Sequence, residues 1–259
     1  VPHAALFEVL VDAEQGTPRC ALEGEYGAAL LLANDRVAVN FVSTIDGIVS
    51  YGLGSGDSSA VGGGIAADRL LMAMLRAVAA VIVVGAGTVR VAGTHQWTPA
   101  ALAPGRATDL AALRAAAGLP PSPAPLLAVS RSTDFTPDVD AATKPQTPFH
   151  VLAPTPPQPR LDAATIVAAA RELGGAGPIL CEGGPHLFGT LLAEPTPLDL
   201  FLTVAPQLAG RSTDRTQRRG LVEGVALPPW ARGGRLRSVR RAGDHLLLRY
   251  AVDAGQSPP

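Results

Sequence analysis

A carboxylate, two glycines and a proline in a row make the stretch with the most chemistry in it. Glu182-Gly183-Gly184-Pro185 follows the apolar run from Pro178 to Cys181, which reads as the end of a buried strand. The apolar helical stretch from His186 to Ala193 comes next. Proline suits the first helical position, because the N–H missing there has no intrahelical partner anyway. Glycines let a ligand come close to the backbone. The free N–H groups and the positive dipole end of the following helix attract phosphate. The turn therefore reads two ways, as an anion site or as an ordinary strand-to-helix connection.

Other strand ends carry smaller signals. Gly85-Ala-Gly-Thr88-Val-Arg90 follows the Val/Ile strand Val81 to Val84, as a dinucleotide fingerprint would. Arg90 stands where the third glycine belongs, and no acidic residue ends a second strand about 20 residues on, so a standard Rossmann unit is not expected. A glycine turn with Thr88 near a helix start still suits a phosphate. Ser130-Arg131 directly after a strand offers a hydroxyl and a guanidinium, a pair suited to a 2′-phosphate and hence to NADP over NAD. Thr44-Ile-Asp46-Gly47 reads as a turn, with Asp46 fixing it.

What is missing narrows the chemistry further. The only lysine is Lys144, in the loop Ala142 to Pro148; the other twenty basic residues of this kind are arginines. A Walker P-loop has no Gly-Lys-Ser/Thr to stand on, and a Schiff-base lysine would have to be desolvated in a pocket. The histidines at 3, 95, 150, 186 and 245 show no ligand spacing, so no metal site is expected. No Gly-x-Ser-x-Gly elbow anchors hydrolase chemistry. The net charge of −1 gives no support to nucleic-acid binding or to an acidic membrane surface. No apolar run approaches the ~20 residues of a membrane span. With only Cys20 and Cys181, in no CxxC spacing, a reducing cytoplasm is the expected setting.

The elements that position these residues alternate. Strands are predicted at 36–43, 81–84, 126–129, 149–152, 178–181 and 199–204, with helices at 66–79, 109–117, 162–173 and 186–193. Tyr51 to Gly64, with six glycines and three serines, reads as a flexible loop, and Pro154 to Pro159 as a stiff connection. Residues 235–241 and 245–252 alternate around Ala242-Gly-Asp244, which predicts a terminal hairpin. The Arg-rich stretch 211–219 reads as a solvated loop. The pattern implies an α/β fold, with a mainly parallel sheet covered by helices on both faces and an antiparallel hairpin at its edge. Residues 1–35 read as an arm with one short strand, and 36–259 as the main domain. Ligands on such sheets lie at the carboxyl ends of strands, so the ends at Ser43, Gly85, Ser130 and Glu182 are the expected site.

Five segments in order carry a resemblance. Asn40-Phe-Val-Ser-Thr-Ile-Asp-Gly47, Ser55-Gly-Asp-Ser58, Val84-Gly-Ala-Gly-Thr-Val89, Glu182-Gly-Gly-Pro185 and Leu202-Thr-Val-Ala-Pro206 resemble the RibD C-terminal family of riboflavin-pathway pyrimidine reductases, which has the dihydrofolate reductase fold. The resemblance covers roughly Val37 to Gly210 and is of the stand-alone type, without a deaminase domain. It implies reduction of the ribosylamino side chain of a phosphorylated aminopyrimidine, with NADPH as hydride donor and a homodimer as the assembly. It places Val42, Ala60, Gly85, Thr88, Ser130 and Arg131 against the cofactor, with Gly183, Gly184, Pro185, His186 and Leu187 on its pyrophosphate. It places Ser58, Arg76 and Gln96 against the substrate, and gives Asn40 and Glu182 the catalytic positions. After Val89 many members carry an Asp and a substrate-phosphate Arg. This chain reads Arg90-Val-Ala-Gly-Thr-His-Gln-Trp-Thr-Pro99 instead. Arg76, His95 or Arg106 is then left to compensate. A folate or other pterin as substrate, and an NADP-binding protein without catalysis, stand as the alternatives.

Overall fold

Strand β2 (Val37–Thr44) is buried along its whole length, as a strand must be when helices cover both faces of a parallel sheet. In the computed structural model it sits in the middle of nine strands. The structure describes residues 6–13, 16–54, 56–92, 95–135, 147–155, 160–211, 218–227 and 231–254. Lys144, Ser55 and Pro156 to Pro159 lie outside them.

In spatial order the sheet runs β1 (Glu8–Asp12), β10 (Arg235–Ala242), β11 (His245–Val252), β8 (Leu198–Ala205), β2, β7 (Ile179–Cys181), β4 (Val81–Gly85), β5 (Leu126–Val129) and β6 (Phe149–Leu152). From β8 to β6 every pairing is parallel. From β8 to β1 every pairing is antiparallel. This is the expected α/β fold, with one change at the edge. The terminal hairpin is not the edge of the sheet, because β1 pairs outside it with β10. A short ladder joins β3 (Ile48–Ser50) to β9 (Arg219–Gly220).

Each face has its own apolar core. Helix α3 (Ala66–Ala77) turns Ala67, Leu70, Leu71, Met74 and Leu75 onto one face, the stripe that a 3.6-residue period produces. Helices α1 (Ala21–Tyr26) and α6 (Ala107–Ala116) extend that layer. Helices α7 (Ala163–Gly174) and α8 (Pro185–Ala193) cover the other face around Val39, Phe41, Val83 and Cys181. Asp162 caps α7 by accepting from Thr165 N at 2.8 Å, the usual remedy for an orphan N–H at a helix start.

The segment 1–35, read from sequence as an arm, is built into the first core. Phe7, Leu22, Tyr26 and Leu30 are buried there. Two buried arginines tie it down. Arg240 donates to Tyr26 O and Asp12 Oδ2, both at 2.7 Å, with its guanidinium 3.6 Å from the centre of the Tyr26 ring. Arg249 bridges Asp199 at 2.7 Å and Leu31 O at 2.9 Å.

Three local expectations need correction. The stretch 51–64 is not all loop: Asp57–Gly62 forms helix α2. Asp57 stabilises its approach by accepting from Tyr51 N and Gly52 N. The glycine turn after β4 is absent, since helix α4 (Ala86–Ala92) begins at once. Between 98 and 125 there are two extra short turns, α5 (Pro99–Leu102) and a 3₁₀ turn at Pro104–Arg106. Among the described residues no helix is long and apolar enough to cross a membrane.

Candidate functional site

The four strand ends expected to form the site belong to β2, β7, β4 and β5, which are consecutive neighbours in the sheet. Their carboxyl ends therefore open on one edge. There the Glu182 turn is threaded between other chain segments. Glu182 N donates to Val83 O at 3.0 Å and Gly85 N donates to Gly183 O at 2.7 Å. Gly183 has φ +85°, and a Cβ on it would meet the Phe41 ring at 3.1 Å. A Cβ on Gly184 would stand 3.1 Å from Thr88 Oγ1, and one on Gly85 would stand 3.2 Å from Gly184 N. The peptide between Gly183 and Gly184 is cis. Glycine is needed here for close approach and, at 183, for a left-handed φ.

Gly184 is the N-cap of α8 and Pro185 its first residue. Among the described residues no group accepts from the N–H of His186 or Leu187. This helix start, lined by Gly85, Thr88 and the two glycines, leaves room for a diphosphate where side chains would otherwise stand. Positive charge gathers beside it. Burial holds the His186 imidazole below its usual pKa, and the nearby Arg131 and Arg219 push it the same way. Arg131 is exposed. Ser130 is buried and its hydroxyl is engaged: Oγ donates to Ser132 O at 2.7 Å and accepts from Ser132 N at 3.1 Å. To bind a phosphate, this hydroxyl would have to leave the turn it closes.

On the α3 side of the sheet the turn presents Glu182, and Arg76 of α3 holds it by two parallel bonds. Nε meets Oε1 at 2.6 Å and Nη2 meets Oε2 at 2.7 Å, with the side chains only 1% and 6% exposed. Arg76 has little left to give. Nη1 donates to Gln96 O at 3.1 Å, Nη2 faces His95 Nε2 at 3.1 Å, and the guanidinium lies 5.0 Å from the centre of the Trp97 ring. Arginine only donates, so His95 Nε2 is the acceptor and the ring proton belongs on Nδ1. Burial first, then the charge of Arg76, pushes His95 down to about 4. The imidazole is therefore neutral at neutral pH.

The remaining expected residues spread around this pair. Asn40 is buried in β2; the β2–β7 register pairs Val39 with Cys181, so Asn40 and Glu182 are the next positions along. Val42 lies two residues on, on the same face. Ser58 and Ala60 are exposed on α2. Gln96 touches Arg76 through its carbonyl. Arg106 is not part of the site, because it pairs with Glu25 at 2.9 Å and Asp109 at 2.7 Å. Asp46 fixes a turn, as expected: it accepts from Thr44 Oγ1 at 2.6 Å, Ala209 N at 3.1 Å and Gly210 N at 2.6 Å. These bonds, that of Thr44 foremost, lower its pKa to about 2, which suits an anchor and not a proton carrier. Among the described residues no cluster of side chains could hold a metal ion.

Trp97, which pairs with His95, is the residue of this site that sequence reasoning missed. Their rings meet edge to face at 5.1 Å, and Trp97 is buried. The visible trace was a tryptophan in an otherwise polar segment, in a chain that has only two.

No curated protein sequence matches the chain. A pyrimidine reductase-like protein from Corynebacterium diphtheriae superposes with a TM-score of 0.61 at 19% identity, over 91% of this chain and 100% of that one. A Thermotoga maritima diaminohydroxyphosphoribosylaminopyrimidine deaminase/5-amino-6-(5-phosphoribosylamino)uracil reductase gives 0.55 at 16% identity, over 84% of this chain and 56% of that one. Dihydrofolate reductase from Enterococcus faecalis gives 0.46 at 11% identity, over 87% of this chain and 100% of that one. The first two overlaps show a shared fold. Residues 35–230 match the model of the RibD C-terminal domain, and the chain belongs to that family.

Proposed function

We propose that the protein is an NADPH-dependent reductase of a ribosylaminopyrimidine phosphate, the 5-amino-6-(5-phosphoribosylamino)uracil type. The family is one of NADPH-dependent pyrimidine reductases of the riboflavin pathway. The observation that carries the reading is the Glu182 turn. One side of it is a glycine-lined helix start and the other is a carboxylate held by Arg76. The start of α8, Thr88 and Arg131 would hold NADPH, which supplies the hydride for C1′ of the ring-opened ribosylimine when bound.

The chain's own part is placement and electrostatics. Gly183, Gly184 and Gly85 let the diphosphate approach the N–H groups of His186 and Leu187. Asn40, in the floor of the site, orients the sugar or the amine. Glu182 binds the substrate and stabilises positive charge developing on the imine. Arg76 keeps the Glu182 carboxylate in a single orientation, so no reorganisation is needed when that charge develops.

NADPH oxidation in the presence of the aminopyrimidine ribosyl phosphate tests the reading. Turnover is expected; none above background at high enzyme concentration would sink it. The homodimer expected from the resemblance belongs to the same proposal, and analytical ultracentrifugation checks it.

One observation favours a second reading, a folate or other pterin as substrate. Residues 95–97 turn inward onto Arg76, so Arg76 and His95 are committed to the Glu182 clamp and Arg106 lies elsewhere. None of the three is free for a substrate phosphate. Dihydrofolate turnover faster than pyrimidine turnover would decide for this reading.

A further inference from the structure

The Arg-rich stretch after β8 has no part in the reduction as described so far. Its described ends are not free loop; they are tied into the site at three places. Asp46, in the turn after β2, accepts from Ala209 N and Gly210 N. Strand β9 lies antiparallel to β3, with Arg219 opposite Ser50 and Gly220 opposite Ile48, and Leu221 N donates to Gly47 O at 3.1 Å. Glu223 N then donates to Pro185 O, in the first turn of α8, at 3.2 Å.

The fit against α8 is close. Gly224 has φ +80°, and a Cβ on it would stand 2.8 Å from His186 Nδ1. A Cβ on Gly189 would collide with Glu223 O. Between β3 and the helix the chain bends tightly, because Gly220 N donates to Glu223 Oε1 at 2.8 Å. Arg219 leaves the main chain at the edge of this bend, between β3 and the helix start.

Three arginines are described in this stretch, and two of them are spent. Arg211 pairs with Glu223, which neutralises that carboxylate. Arg218 donates to Ala209 O and Gly210 O, and its guanidinium lies 5.6 Å from the centre of the Tyr51 ring. Arg219 is exposed and has no partner among the described residues. Burial, then the charges of Arg131 and Arg219, hold the His186 imidazole below its usual pKa, so both guanidiniums bear on the first turn of α8. They come from opposite sides. Helix α8 follows β7. Arg131 follows β5, two strands away on one side, and β3, which carries β9, follows β2, next to β7 on the other.

The charges of the cofactor need both. NADPH brings a 2′-phosphate and a diphosphate. Ser130-Arg131, at the end of β5, suits the 2′-phosphate. The diphosphate, with about two negative charges, would then meet only the helix start, which is worth roughly half a positive charge. We propose that Arg219 is the cation of the diphosphate site, binding the cofactor opposite Arg131 through charge-assisted hydrogen bonds. The inference rests on the NADPH part of the reading above and not on the identity of the substrate. Because Arg219 has no partner to leave, binding breaks no ion pair. The anchors on either side of it, to Ser50 and to Pro185 O, keep its main chain in place.

Calorimetric titration with NADPH and phosphorus NMR of the complex test this together. Arg219→Ala should weaken NADPH binding about 10-fold, and Arg219→Lys should recover part of the loss. Tm should stay at the wild-type value, because the side chain holds nothing in place. Arg219→Ala should move the diphosphate resonances of bound NADPH and leave the 2′-phosphate resonance where it is, and Arg131→Ala should do the reverse. Wild-type affinity in Arg219→Ala, or a change confined to the 2′-phosphate, overturns the assignment alone. A wild-type protein that does not bind NADPH overturns the cofactor reading and the assignment with it. Loss of affinity in Arg219→Ala, beside a wild type that binds NADPH without reducing the aminopyrimidine, supports the assignment while it sinks the reductase reading.

Discussion

Removing the Arg76 guanidinium puts the site's construction to its strictest trial. In Arg76→Met the side chain keeps roughly its length and loses every donor. The Glu182 carboxylate, 6% exposed, loses two bonds of 2.6 and 2.7 Å. Gln96 O and His95 Nε2 each lose a donor at 3.1 Å. Breaking a buried pair by removing one partner costs about 3–5 kcal/mol, because a charge is left buried and alone. For a domain of this size about 3 kcal/mol lowers Tm by ~10 °C. Urea unfolding followed by tryptophan fluorescence reads the change, since Trp97 stands against the guanidinium. The double variant Arg76→Met/Glu182→Leu replaces both charges with apolar groups and should recover most of the loss. NADPH affinity should stay near the wild-type value in both, because the helix start of α8 is untouched. Arg76→Met within about 1 kcal/mol of wild type, or a double variant weaker than the single, would refute the picture of a buried pair that holds the site.

Other expectations follow from the same geometry. Gly184→Val should weaken NADPH binding, since even a Cβ there stands 3.1 Å from Thr88 Oγ1. Glu182→Gln should spare binding and damage turnover, and fluorescence titration beside steady-state kinetics separates the two; the reverse result would mean the halves of the turn are wrongly assigned. Gly183→Ala should cost about 2–4 kcal/mol of stability, from a left-handed φ and a crowded Phe41 ring, whereas Gly184→Ala should cost much less, because its φ is ordinary and Thr88 can turn aside. His95 contributes pH dependence. Its folded pKa of about 4 lies below the unfolded value near 6.5, so the unfolded chain binds more protons between them and stability rises with pH across that window. The contribution is at most about 3 kcal/mol, and urea midpoints from pH 4 to 7 should be flatter in His95→Gln than in wild type.

Much of the fold was legible because parallel strands buried on both faces must read as continuous apolar runs. Val81 to Val84 and Leu126 to Val129 could be nothing else once helices alternated with them. The Glu182 turn was legible too, since glycine and proline carry their backbone meaning locally. The arm was not. Leu6 to Val11 shows a strand's apolar character, but what β1 pairs with is settled more than 220 residues away by β10, and buried Arg240 gives no sign in sequence of the Asp12 and Tyr26 it will meet. Helix α2 was hidden by its composition, because serine and glycine score as loop and the helix is stabilised by tethers from Gln207 and His245.

The identity of the strand ends and the glycine turn were properties of the chain read as a string, because each depends on residues adjacent in sequence. Which side chains face one another was not. Arg76 and Glu182 are 106 residues apart, and only the packing of α3 across the end of β7 brings them together. Burial then decides their chemistry. The fold leaves the Glu182 carboxylate 6% exposed and paired with a guanidinium, and no local pattern in the sequence announces that pair.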